Sequence, residues 1–492
     1  MTSAYATLGP VTDPVSGSPS TGVASVNGLT ADDLARATGG RLVARSSRLV
    51  LGGAVDSREV LDGNLFVALP GERTDGHRFA GEAIARGAAA VLVSRALTTG
   101  ELAAGAGRDA TIVEVDDTLR ALQEVAAEWR SRFDPLVVGV TGSIAKTSTK
   151  EAIATVLASE LVTLKNEGNQ NNEIGLPLTI LRLRPDHQAA VLEMGMYVGG
   201  EIATLARIGR PEIGVVTAVQ PVHLSRIGTI EAVEQAKGEL VEALPADGVA
   251  VLNADDERVR RMASRTTARV TTYGFAPDAA VRAEDIESAG TDGMRFSLVA
   301  NGMRRAASIP TLGRLAVHNA LAASAVGLAS GFPLERVAAA LRAGWAAPHR
   351  GALVRAGAIT IVDDSYNASP ATVIAALDLL AGLPGRKVAV LGEMLELGDG
   401  HEAGHERAGV AAADVCELLV VVGEGAVGIA RGARDAGMAP DRVLQVADRD
   451  AALAALDDRL LSGDVVLVKA SRGIELDLLV DALRERLEAR GS

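Results

Sequence analysis

Val137-Val138-Gly139-Val140-Thr141-Gly142-Ser143-Ile144-Ala145-Lys146-Thr147-Ser148-Thr149-Lys150-Glu151 is the stretch from which the fold is read. An apolar run passes into a short loop, then Lys-Thr, then a helical pattern. Strand, loop and helix in that order hold the phosphates of a nucleotide. Backbone N–H groups and the helix N-terminus face the anion, the lysine reaches the terminal phosphates and the threonine hydroxyl reaches Mg²⁺. The full G-x-x-x-x-G-K-T spacing is not met, because Val140 stands at the first glycine and Ala145 at the second. Gly142, Lys146 and Thr147 remain, with Ser143 and Ser148 beside them. Alanine at 145 is harmless if its φ is negative and strained if φ is positive. An ordinary strand–turn–helix with a buried lysine is the plainer reading of the same residues, and the junction context favours phosphate binding.

Outward from this loop the chain divides into three segments after a Ser/Thr/Gly/Pro-rich stretch, residues 1–27, expected to be a disordered tail. Residues 28–133 alternate short strands (Leu65–Leu69, Ala89–Val93) with short helices (one capped by Thr30, one at 78–87). Residues 134–346 hold the phosphate loop, the buried-strand candidates Ala189–Leu192, Ile213–Val219 and Val249–Leu252, and helices near 230–244 and 317–330. Residues 268–310 alternate in strand fashion. Residues 347–492 carry four apolar runs (Ile359–Val362, Val388–Leu391, Leu418–Val422, Val465–Val468), most followed by amphipathic helices, which predicts a small parallel sheet. The class is therefore α/β, with a small α/β N-terminal domain, a central P-loop-type ATPase domain with a mostly parallel sheet, and a C-terminal Rossmann-like domain.

Composition removes several functions. A formal charge of −13 argues against a general nucleic-acid binder. A single cysteine, Cys416, excludes an internal disulfide framework and suits a reducing cytoplasm. No apolar run approaches the ~20 residues of a membrane span, and no signal peptide is expected. Only six of the 49 basic residues are lysine. A chain so biased toward arginine keeps lysine where a primary amine is needed, or by chance on the surface; Lys387 and Lys150 fit chance.

Other strand-end motifs converge on the loop. Glu193 ends an apolar strand, where a carboxylate suits Mg²⁺ or is simply solvated. Asn169-Gln170-Asn171-Asn172 is an amide run that either contacts a ligand or caps its own turn. His223 follows another strand and is structural or touches metal or phosphate. Lys237 lies mid-helix, either paired to Glu234 and Glu239 at the surface or facing the site. Asp363-Asp364-Ser365-Tyr366-Asn367 caps a helix or contacts nucleotide, and Lys469-Ala470-Ser471-Arg472 occupies the equivalent place after the last strand.

Taken together these stretches resemble the Mur ligases along nearly the whole chain. The match also includes Asp56-Ser57-Arg58, the run Leu65–His77, Ala236-Lys237-Gly238-Glu239, Asn319–Ala323 and Leu391–Gly398. The resemblance implies a cytoplasmic, monomeric ligase that uses ATP and Mg²⁺, with UDP-N-acetylmuramoyl-tripeptide and D-alanyl-D-alanine as substrates and an acyl phosphate between them. It implies catalytic roles for Lys146, Glu193, His223 and Lys237. ATP contacts would come from Gly142, Ser143, Ala145, Lys146, Thr147, Ser148, Asn319, Arg350, Asp364 and Tyr366. Ser57, Arg58, Asn169, Asn172, Asn367 and Lys469 would bind substrate. Thr147, Glu193, His223 and Lys237 would hold metal, the last as a carbamate, which requires a primary amine. Departures from the family pattern are Ala145, Leu315-Ala316 in place of His-Asn, Val222 before His223 and Ala470 after Lys469. They leave open a paralogue joining a different amino acid or peptide, or a catalytically weakened nucleotide-binding relative.

Overall fold

The structure is a computed structural model, and it describes residues 28–71, 74–221 and 227–491. The tail expected at 1–27 and His223 lie outside the described residues. The described residues build three sheets of five, nine and six strands. Among the described residues no helix is long and apolar enough to cross a membrane.

The central sheet decides where the site lies. From one edge its strands are Thr163–Lys165, Ala189–Glu193, Leu136–Thr141, Ile213–Val216, Val249–Asn253 and Arg269–Gly274, all parallel, then Val281–Ser288. Met294–Ala300 and Met303–Ile309 close the far edge antiparallel. Leu136–Thr141 sits between strands reached by connections running in opposite directions. Its carboxyl end is thus a topological switch point, where ligands of open α/β sheets bind. These strands are continuous apolar runs because both sheet faces are covered. Ala189–Glu193 is buried at every residue, including its terminal carboxylate.

The helix Lys146–Ala158 leaves the loop and turns Ala152, Ile153, Val156 and Leu157, all fully buried, onto the sheet. It packs against the alanine-rich helix Arg314–Ala329. A Cβ at Gly327 would come within 2.8 Å of Val156, so that glycine permits the close approach.

The N-terminal sheet runs Arg41–Ala44, Thr111–Glu114, Ala90–Val93, Leu65–Val67, Gly53–Ala54, with only the first pair antiparallel. The helix Ala31–Thr38 is capped as read: Thr30 and Asp33 form a capping box, and Gly39 ends it left-handed. The helix expected at 78–87 is instead a 3₁₀ turn, Gly76–Phe79, followed by an α-helix, Ala80–Arg86.

The C-terminal sheet contains the four expected runs and two strands more. Ala352–Ala356 pairs antiparallel at one edge and Val443–Val446 parallel at the other, so the sheet is mixed rather than wholly parallel. Both are half-exposed edge strands, whose mixed polarity hides them from a search for apolar runs.

Candidate functional site

A cavity of about 720 Å³ opens at the carboxyl end of the central sheet and reaches across to the C-terminal domain. Its floor is the phosphate loop. Gly142 has φ +149°, and a Cβ there would lie 1.8 Å from the Thr217 hydroxyl, so no other residue fits. The loop is pinned from the neighbouring strand. The Thr217 hydroxyl donates to the Ile144 carbonyl at 2.6 Å, and Ser143 N donates to the Ala218 carbonyl at 2.8 Å. The Ser143 hydroxyl donates to the Gln220 carbonyl (3.0 Å) and accepts from Gln220 N (2.9 Å). Ser143, Ala145, Lys146, Thr147 and Ser148 then line the cavity.

Ala145 has φ +63°, the left-handed region, directly before the helix. The strain that a positive φ places on alanine is therefore present, at roughly 1–2 kcal/mol. Ala145→Gly should stabilise the folded protein by up to about 1 kcal/mol, because relief of strain exceeds the extra chain entropy of glycine in the unfolded state. The midpoint of the unfolding transition that includes the central domain checks this. A lower midpoint would mean that the methyl group makes contacts worth more than the strain.

The Lys146 amine donates to the Gly142 carbonyl at 2.8 Å, and no described carboxylate pairs with it. Burial lowers its pKa, opposed by the Glu193 carboxylate and reinforced by the Arg350 guanidinium. Lys146 and Arg350 thus stand close enough to feel each other's charge in one cavity, an arrangement that suits a polyanionic ligand such as a polyphosphate.

Glu193 lines the same cavity as Thr147. Its Oε1 accepts from the Asn171 amide at 2.7 Å. Its Oε2 is buried with no hydrogen-bond partner among the described residues. A buried, half-satisfied carboxylate oxygen is costly unless a cation completes it. Among the described residues no three His, Cys, Asp or Glu side chains gather at one point. The donor set of Glu193 and the Thr147 hydroxyl therefore fits Mg²⁺, which takes one or two protein ligands and completes its shell with phosphate and water.

Lys237 sits inside the helix Ile230–Glu242, on its buried face, and is 2% exposed. The surface ion-pair alternative is excluded by that burial, and Glu239 instead caps the earlier helix Glu201–Gly209 through Gly200 N and Ala203 N. Burial, then the charge of Lys146, hold its amine well below the ordinary lysine pKa. The neutral amine is the form that reacts with carbon dioxide.

The opposite wall comes from the C-terminal domain. Lys469, 2% exposed, pairs with Asp364 at 2.6 Å and donates to the Asn367 carbonyl at 2.8 Å. Burial pushes the Asp364 carboxyl up and Lys469 opposes it. The Arg350 guanidinium stacks on the Tyr366 ring at 4.0 Å, with Arg472 at 5.3 Å from the same ring. His349, at φ +58°, bonds Asp363 through Nδ1 (2.8 Å) and accepts from Tyr366 N (3.0 Å), so the interdomain linker is fastened to the loop it faces. Arg350, Asp364, Tyr366, Asn367 and Lys469 all line the cavity.

Of the remaining expected residues, Asn169 and Asn319 line the cavity; Asn319 Oδ1 accepts from the Thr149 hydroxyl at 3.1 Å. Asn172 caps the helix Gly175–Ile180 through Gly175 N (2.9 Å), the turn-making role of an amide. Ser57 donates to Glu82 at 3.2 Å, and Arg58 pairs with Asp56, both in the N-terminal domain and away from this cavity. Sequence reasoning missed Thr217 and did not single out Asn171 within its amide run. Lys150, read as a surface lysine, is fully buried.

Three family models match the chain: the Mur ligase family catalytic domain over residues 53–130, the Mur ligase middle domain over 140–327 and the Mur ligase glutamate ligase domain over 349–472. A curated relative from Mycobacterium tuberculosis (strain H37Rv), UDP-N-acetylmuramoyl-tripeptide–D-alanyl-D-alanine ligase, is 39% identical over 466 residues, covering 87% of this chain and 91% of its own. The crystal structure of MurF from Acinetobacter baumannii aligns with a TM-score of 0.82 at 28% identity, covering 93% of this chain and 98% of that one. MurF ligase from Thermotoga maritima in complex with ADP aligns with a TM-score of 0.78 at 29% identity, covering 89% and 98%.

Proposed function

The chain belongs to the Mur ligase family, and from that premise we propose that it joins D-alanyl-D-alanine to UDP-N-acetylmuramoyl-tripeptide at the expense of ATP, in peptidoglycan precursor synthesis. The observation that carries this reading is the cavity that sets Lys146 and the half-satisfied Glu193 carboxylate against the Arg350–Tyr366 and Asp364–Lys469 wall. ATP as the phosphoryl donor is supported by the ADP complex of the Thermotoga maritima relative.

In the first step an oxygen of the tripeptide's terminal carboxylate attacks the γ-phosphorus. The bond to the bridging oxygen breaks, ADP leaves and an acyl phosphate forms. The Lys146 ammonium, preorganised over the loop carbonyl, neutralises the charge that builds on the transferring oxygens. Thr147 and Glu193 would hold Mg²⁺, whose chemistry is to neutralise and orient the phosphates. A second Mg²⁺ would be held by Lys237, as its carbamate, and by His223. In the second step the free amine of the dipeptide attacks the acyl carbon, inorganic phosphate leaves with its electron pair, and the amine proton is lost. Asn319 supports the adenosine end, and Arg350 with Asp364 engages nucleotide from the C-terminal side, so closure of the wall excludes water from the acyl phosphate. Asn169, Asn367 and Lys469 are assigned to the peptide substrates, and Ser57 with Arg58 to the uridine nucleotide, while Asn172 keeps its helix-capping role.

We place the domain boundaries at 28–133, 134–346 and 347–492, and we propose a cytoplasmic monomer as the working form. A carboxylate labelled with ¹⁸O tests the chemistry. One label should appear in the released phosphate and one should stay in the new amide. Phosphate free of label would refute the acyl-phosphate route.

A further inference from the structure

Lys150 is 0% exposed, yet it lies one turn beyond the phosphate loop and faces away from the cavity. Burying a lysine costs several kcal/mol even when it is paired, so a buried ion pair is weak evidence for stability alone. Its contacts point elsewhere. The Lys150 amine donates to the Asn166 backbone carbonyl at 2.6 Å and pairs with Glu151 at 2.9 Å. The other Glu151 oxygen pairs with Lys165. Lys150 and Glu151 therefore hold the end of the strand Thr163–Lys165, from which Asn166 projects.

Asn166, 1% exposed, continues that strand with its side chain. The backbone ladder between Thr163–Lys165 and its neighbour stops at Lys165 opposite Val191. Beyond it, Asn166 Oδ1 accepts from Glu193 N at 2.9 Å and Nδ2 donates to the Glu193 carbonyl at 3.0 Å. The side-chain amide thus stands in for a peptide and clamps the backbone of Glu193 on both sides. The Glu193 carboxylate receives one further bond, from Asn171, and its other oxygen is left for a ligand.

We propose that Lys150 is a positioning residue for the Glu193 carboxylate, acting through Asn166, and that it sets the affinity of the site for a divalent cation. The proposal rests on the reading of Glu193 as a metal ligand. Outer groups of this kind commonly contribute 10–100-fold to metal affinity by fixing the direction of the ligand. Lys150→Met keeps the length and volume of the side chain and leaves Glu151 paired to Lys165, while the Asn166 carbonyl loses its tether.

The test uses Mn²⁺ as the probe, bound to the full chain in the presence of ADP and followed through the electron paramagnetic resonance signal of free Mn²⁺. Lys150→Met should raise the Mn²⁺ dissociation constant about tenfold. ADP affinity measured in a chelator should not change, and Glu193→Gln should raise the Mn²⁺ constant further. A purely structural lysine would lower the unfolding temperature and leave Mn²⁺ affinity intact, which would overturn the proposal. If Lys150→Met does not fold, Lys150→Gln is read by the same criteria. Loss of Mn²⁺ affinity in Glu193→Gln but not in the Lys150 variant defeats the Lys150 proposal alone. Unchanged affinity in Glu193→Gln defeats the metal reading and the proposal together.

Discussion

Lys146→Ala should reduce turnover on the order of 10³-fold, the cost of removing a preorganised charge from a developing phosphoryl oxyanion. The uridine nucleotide substrate should bind the variant as it binds the parent, since the amine bonds the Gly142 carbonyl and Ser57 and Arg58 lie outside the cavity that Lys146 lines. Folding should survive, because no carboxylate partner is left uncompensated. Lys146→Arg should not restore the rate: the guanidinium is broader and planar, and the loop carbonyl is matched to a compact ammonium. Single-turnover phosphate release with binding measured separately checks this. Turnover within about tenfold of the parent would refute the assigned role, since even one weak electrostatic donor is worth more than that.

Lys237→Ala should be similarly inactive, and short-chain carboxylic acids should restore part of the activity. Three observations lead there. The residue is buried close enough to Lys146 for the two charges to interact, although it does not line the cavity; its amine is held toward the neutral form by burial and by that charge; and the chain retains lysine at this position while using arginine almost everywhere else. A neutral primary amine takes up carbon dioxide and becomes a carbamate, which is an oxygen ligand for Mg²⁺. Acetate or propionate can enter the space left by the shortened side chain and present the same carboxylate. Arginine at 237 should be neither active nor rescued. Activity measured across acid concentrations decides the matter, and absence of any rescue would contradict a carbamate there.

Much of this site could be read from the chain, and the reasons are specific. Leu136–Thr141 and Ala189–Glu193 are buried on both faces, so they appear as unbroken apolar runs whose ends are easy to place. Lys146 and Glu193 follow from those ends, because parallel strands deliver their carboxyl termini to one edge. The edge strands Arg41–Ala44, Ala352–Ala356 and Val443–Val446 were hidden because half of each faces water. Ala145 could only be posed as a question, since its φ is set by how Thr217 and Ser143 hang the loop on the next strand. Asn172 and Asn171 are indistinguishable as letters. One caps a helix and the other reaches Glu193, a division fixed by where the chain turns. Lys150 resembles any helical lysine until the strand carrying Asn166 is laid beside it.

The central claim is that ATP activates a carboxylate for attack by the amine of a dipeptide. Phosphate release measured with ATP, Mg²⁺ and UDP-N-acetylmuramoyl-tripeptide, with and without D-alanyl-D-alanine, tests it most directly. Sustained release is expected only when the dipeptide is present, with one phosphate formed for each amide. Release that ignores the dipeptide, or none with either mixture, would contradict it.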